Sequence, residues 1–149
     1  MPRRFTWASL PEDKLLKLRL RDIKVTVEGT WLERCLADLY DELEHRGLRI
    51  RPHAWISDEW FSPTTTSGIA IPFYLAHPRL TQLEQKKMLE VEGGTVPECM
   101  RLLRHEAGHA FNYAYQFYRR TRWRELFGSF SDEYDVQAYY PRPFSRQFV

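Results

Sequence analysis

Leu32, Leu36, Leu39, Tyr40 and Leu43 recur at spacings of three and four, which predicts an amphipathic helix over residues 31–46. Thr30 stands before it as an N-cap, with Glu33 placed as the capping-box partner. Gly47 falls where the left-handed residue that ends a helix is expected. Leu80, Leu83, Lys87 and Met88 give a second helical spacing over residues 80–91. After Gly93-Gly94, Thr95 is a cap, Pro97 lies in a first turn and Glu98 completes a second box. The helix that follows is predicted to run over residues 96–120. Alternation of Leu48, Ile50, Pro52, Ala54 and Ile56 with Arg49, Arg51, His53 and Trp55 predicts a strand, an edge one because of Pro52. Residues 68–76 form a second strand interrupted by Pro72 and ended by His77-Pro78.

Elsewhere the pattern is weaker. Ser9 and the acids at Glu12 and Asp13 mark a helix start. The leucines of residues 15–20 fit both periods, and we expect a short helix followed by an extended segment over 24–27. Residues 57–67 form a polar loop, and residues 129–149 read as irregular. These elements give an α+β fold, a small mixed sheet flanked by helices with the longest helix packed on the sheet. At 149 residues the chain is expected to be one domain.

Composition narrows the function classes. With 43% hydrophobic and 28% charged residues the chain is globular, which excludes a disordered tail or a fibre. A formal charge of +2 is too balanced for a dedicated nucleic-acid binder. No run approaches the ~18 apolar residues of a membrane span. The two arginines near the start are not followed by the apolar stretch of a signal peptide. Cys35 and Cys99 are too few for a disulfide framework and suit small buried positions in a reducing compartment. The expected location is cytoplasmic.

Chemistry enters inside the longest helix, at His105-Glu106-Ala107-Gly108-His109. Residues four apart lie one turn apart on one helix face, so both imidazoles can aim at a single metal ion. Glu106 is rotated about 100° from His105 and flanks the ion without ligating it. There it can take a proton from a water activated by the metal and pass it to a leaving group. With 5 His in the chain, such a motif arises by chance in roughly one sequence in 70 of this composition. The helix projection puts Arg101, His105, His109, Asn112 and Gln116 in one polar stripe, with Leu103, Ala107, Ala110 and Ala114 opposite.

A catalytic zinc usually takes a third protein ligand. Asn112 and Tyr115 occupy the positions where the metzincin extension has Gly and His, so that class is excluded. A carboxylate from a later helix is the other common arrangement. Glu125, Asp132, Glu133 and Asp135 are available, and none lies on a recognisable second helix.

The segment LLRHEAGHAFNYAY, preceded by RPHAWISDEWFSP, GIAIPFYLAHPRL and MLEVEGG, resembles a bacterial family of zinc-binding metallopeptidases with the zincin motif. The resemblance runs from about Leu15 to the end of the chain. It implies a zincin-like fold for residues 1–149, zinc held by His105 and His109, and a catalytic Glu106. It also implies an acidic helical segment supplying the third ligand, which nothing in this chain matches. The resemblance therefore places that ligand beyond Val149.

The expected activity is zinc-dependent hydrolysis of a peptide bond in a peptide or protein substrate. One alternative is a zinc-binding module without hydrolysis, used for partner binding. Another is a basic binding domain, built on Arg119, Arg120, Arg122 and Arg124, with an incidental motif. Lesser signals are residues 68–76 as an edge strand pairing with an extended substrate, His77 as a polarising group or ligand, and Tyr113 or Tyr115 as an oxyanion donor. For each of these a plain structural role, in strand, turn or core, explains the residue as well.

Overall fold

The computed structural model describes residues 4–132. Two compact units divide the chain, Met1–Tyr115 and Gln116–Val149. The first holds α1 (Glu12–Leu15), α2 (Leu20–Ile23), α3 (Trp31–His45), β1 (His53–Ser57), β2 (Gly68–Pro72), α4 (Pro78–Met88) and α5 (Val96–Tyr115). The second holds a 3₁₀ turn at Phe117–Arg119 and α6 (Thr121–Phe127). The class is α+β. The sheet is two parallel strands with Ala54 opposite Ile69 and Ile56 opposite Ile71. Among the described residues the expected mixed sheet reduces to this parallel pair with an antiparallel bridge from Phe61 to Ala70.

α3 forms as its sequence dictates. The Thr30 hydroxyl accepts from the Leu32 amide, and Glu33 accepts from the Gly29 amide at 2.9 Å, one residue earlier than a standard box. At the other end Leu48 N–H bonds to Leu43 and Gly47 N–H to Glu44, a Schellman motif with Gly47 at φ 71°. Its inner face buries Leu32, Cys35, Leu36 and Leu39. These pack with Ile69, Ile71, Leu75 and Leu103 in the core of the first unit. At about 25 cal/mol per Å² of apolar surface, each such side chain contributes roughly 1.5–3 kcal/mol.

Several boundaries differ from the periodic reading. Ser9 closes a 3₁₀ turn over Thr6–Ser9 and does not cap α1, whose N-cap is Pro11. β1 starts at His53, where β2 first supplies a ladder partner, and the carbonyl of the preceding Pro52 accepts from the Tyr40 hydroxyl. β2 stops at Pro72, and Phe73–Ala76 turns into 3₁₀ helix. α4 begins at Pro78 and ends at Met88, closed by left-handed Leu89 at φ 63°. Lys24, also left-handed, ends α2. Val25 and Val27 beyond it are buried, while Lys24, expected to open an extended segment, is not extended.

α5 starts where expected, with the Thr95 hydroxyl accepting from the Glu98 amide at 3.4 Å. It buries Cys99, Met100, Leu103, Glu106, Ala107 and Ala110, the repeat of a helix laid on a core. β2 and α3 are its neighbours, and the Arg104 guanidinium forks onto Glu42 of α3 with two bonds of 2.7 Å. The helix ends at Tyr115 instead of residue 120, because Gln116 turns left-handed at φ 53°. Ala114, expected on the buried side, is exposed. Cys35 and Cys99 are both free thiols buried in the core. Among the described residues no helix is long and apolar enough to cross a membrane.

Candidate metal centre

The four-residue spacing on α5 brings the two imidazoles together on the exposed side of the helix. The Nε2 atoms of His105 and His109 lie 3.0 Å apart, and the rings meet edge to face at 78°. A tetrahedral zinc 2.0–2.1 Å from each nitrogen would set them about 3.3 Å apart. The pair therefore stands close to the spacing that two ligands of one ion need. Partial burial pushes the His109 imidazole below its ordinary range, and the neighbouring His105 adds to the effect. That favours the neutral ring, the form able to ligate.

Glu106, the residue after His105, lies on the buried side of the helix. It is 7% exposed and is the one buried charged side chain among the described residues. Burial raises its carboxyl above the usual range; His105 works against the shift and the charge of Glu92 adds to it. A carboxylate raised in this way holds a proton more readily than an exposed one, as a proton acceptor must. Tyr113 stacks on His109 with centroids 6.0 Å apart. Its phenol is raised by burial first and then by Glu106. Asn112, also on this stripe, has a buried side-chain oxygen with no hydrogen-bond partner.

The periodic reading did not single out Glu92. Its signal was the Gly93-Gly94 pair that follows. Gly93 takes φ +79°, and a Cβ there would meet the Trp60 ring at 3.0 Å and Leu102 at 3.1 Å. Only glycine lets this loop lie against α5, and that approach brings the Glu92 charge to bear on Glu106.

Other expected participants lie elsewhere. His77 caps α4, its Nδ1 accepting from the Arg79 amide at 3.1 Å, and it packs against Phe5 and Trp7. Burial lowers its pKa, which keeps the ring neutral and the acceptor available. β2 offers no open edge at its centre. On one side it pairs with β1; on the other the Ala70 amide bonds to Phe61 and the Gly68 carbonyl accepts from Ser62. Of the acids weighed as a third ligand, Glu125 lies 3.9 Å from Arg122, Asp132 accepts from the Ser129 amide, and Glu133 and Asp135 lie outside the described residues. Among the described residues no group of three His, Cys, Asp or Glu side chains is placed to hold a metal ion. Within the second unit Arg120 lies over the Phe117 ring at 4.9 Å, so part of the basic cluster is engaged locally.

No family model, curated protein or solved structure matches this chain.

Proposed function

We propose that the chain is a zinc-dependent hydrolase of peptide bonds, with His105 and His109 as metal ligands and Glu106 as the proton-handling group. The observation that carries this reading is the 3.0 Å approach of the two Nε2 atoms, on a helix whose next residue is a buried carboxylate. Zinc held by this pair would supply a Lewis acid that polarises the substrate carbonyl and acidifies water. Glu106 accepts the proton as the water oxygen adds to the carbonyl carbon. It then returns that proton to the amine as the C–N bond breaks. The buried surroundings of Glu106 lessen the cost of carrying the proton between the two events. Core contacts along Cys99, Leu103, Ala107 and Ala110 fix the helix, so the histidines and Glu106 keep one geometry.

A second reading is a zinc-binding module without turnover. The absence of a third ligand among the described residues favours it. Glu106→Gln separates the two. Glutamine keeps the shape and loses the basicity, so zinc binding is expected to persist while cleavage of a responsive peptide falls by at least ~10²-fold. His105→Ala is expected to lose the metal. A chelator such as EDTA should abolish activity and added zinc restore it. Hydrolysis by Glu106→Gln at the parent rate would refute the role assigned to Glu106. Stoichiometric zinc with no cleavage of any member of a broad peptide library would favour the module.

A further inference from the structure

Three segments far apart in the chain meet in a cleft of the first unit: the turn before α1, the stretch joining α2 to α3, and the start of α4. The cleft encloses about 780 Å³. Small-molecule sites span about 300–1,000 Å³. None of its lining residues lies on α5, so it shares no wall with the helix of the histidine pair.

The lining offers rings and a carboxylate, while its donors are engaged within the protein. Phe5 and Trp31 supply aromatic surface. Phe5 is held by a stack on Trp7, centroids 5.0 Å apart, and by the edge of His77 at 5.7 Å. Trp31 is held by its indole N–H, which donates to the Leu75 carbonyl at 2.8 Å. The Thr30 hydroxyl donates to the Val27 carbonyl, the Thr26 hydroxyl to the Glu28 carbonyl, and the Gly29 amide to Glu33. An anionic group therefore finds little there to bind it. His77 accepts from the Arg79 amide through Nδ1, so that nitrogen carries no proton and the ring adds no positive charge. Glu28 is exposed, and among the described residues no cation pairs with it and no Lys or Arg lines the cleft.

The cleft thus joins aromatic surface to one uncompensated negative charge. The face of an aromatic ring is the negative side of its quadrupole and attracts a cation within about 6 Å of the centroid. Ring and carboxylate therefore call for the same complement.

We infer that this cleft binds a small organic cation, with its ammonium group at Glu28 and the Trp31 ring and its apolar body against Phe5. The assignment is independent of the hydrolase reading.

The test uses the full chain and two probes, choline and 3,3-dimethylbutan-1-ol, which share a shape and differ in charge. Binding is followed by NMR at the Trp31 indole N–H and the Phe5 ring. Choline is expected to shift both and to bind at least ~5-fold more tightly than the alcohol. Glu28→Gln, at an exposed position, should weaken choline a few fold at low salt and leave it nearly unchanged at about 500 mM. Trp31→Leu should weaken choline by about 10-fold, and Trp31→Phe, which keeps an aromatic face, should recover most of that. Phe5→Leu, read at the Trp31 indole, should weaken it in the same direction. Equal binding of choline and the alcohol would overturn the assignment. So would choline binding that Glu28→Gln and Phe5→Leu both leave unchanged. Shifts with a trimethyllysine peptide and none with choline would overturn it as well, making the cleft a docking site for a partner's lysine. None of these readouts involves zinc or cleavage, so a failure here leaves the hydrolase reading standing.

Discussion

Replacing Gly108 by alanine measures how much stability α5 gives up at the turn that carries the histidines. The residue is exposed, lies within Val96–Tyr115, and among the described residues no heavy atom outside the helix's own adjoining backbone comes within 4 Å of the added methyl. Neither a clash nor a new contact enters, so the intrinsic difference between glycine and alanine remains, about 0.8–1.0 kcal/mol in favour of alanine. For a chain of 149 residues that corresponds to a rise of about 2–4 °C in Tm. Circular dichroism melts and urea titrations of the metal-free protein check it. The urea midpoint should move with an unchanged slope. Gly68→Ala is the contrasting perturbation. That glycine is buried in β2, where a Cβ would run into the Trp55 ring and lie 3.0 Å from the His53 carbonyl oxygen. A loss of about 1–3 kcal/mol is expected from overpacking. The reasoning is refuted if Gly108→Ala destabilises the chain, because something must then press on that face of α5. It is equally refuted if Gly68→Ala is neutral.

Zinc calorimetry addresses the third ligand. A triple variant, Asp132→Asn, Glu133→Gln and Asp135→Asn, is expected to bind zinc as the parent does, both more weakly than a site with two histidines and a carboxylate. A large loss in the variant would place the third ligand in this acidic stretch. Lys86 and Lys87, both 2.6 Å from Glu12, hold its carboxyl down at about 2 against an ordinary 4.5. The folded value lies below the unfolded one, so the contribution to stability is present above pH 4.5 and is lost as pH falls toward 2. Glu12→Gln should therefore flatten the acid side of the stability profile in that window, by an amount that shrinks with added salt. Urea midpoints between pH 2 and 5 at two salt concentrations, on the order of 10 mM and 500 mM, check this; an unchanged acid limb in the variant would refute it.

Local rules alone specified α3, the start of α5 and the facing of the histidines. Thr30, Gly47 and Thr95 act within a turn of themselves, and a spacing of four on a helix fixes a shared face wherever that helix packs. The same locality explains the misses. Gln116 takes the left-handed conformation without being glycine or asparagine, so periodicity ran through it and extended α5 to residue 120. Leu48 and Ile50 alternate as a strand would, yet a ladder needs a partner, and β2 supplies one only from His53 onward. Alternation reports which side chains face inward and says nothing about what lies beside the backbone. His77 had the chemistry of a ligand in the sequence. Packing against Phe5 and Trp7, some 70 residues away, made it a helix cap. The environment of Glu106 was likewise out of reach. Its raised carboxyl depends on burial and on Glu92, from a loop that Gly93 lets lie against α5. The sequence thus determined which groups could act at one face of one helix. Tertiary packing decided their solvation, their charged neighbours and the space beside them, because burial and Coulomb interactions depend on distances between segments far apart in the chain.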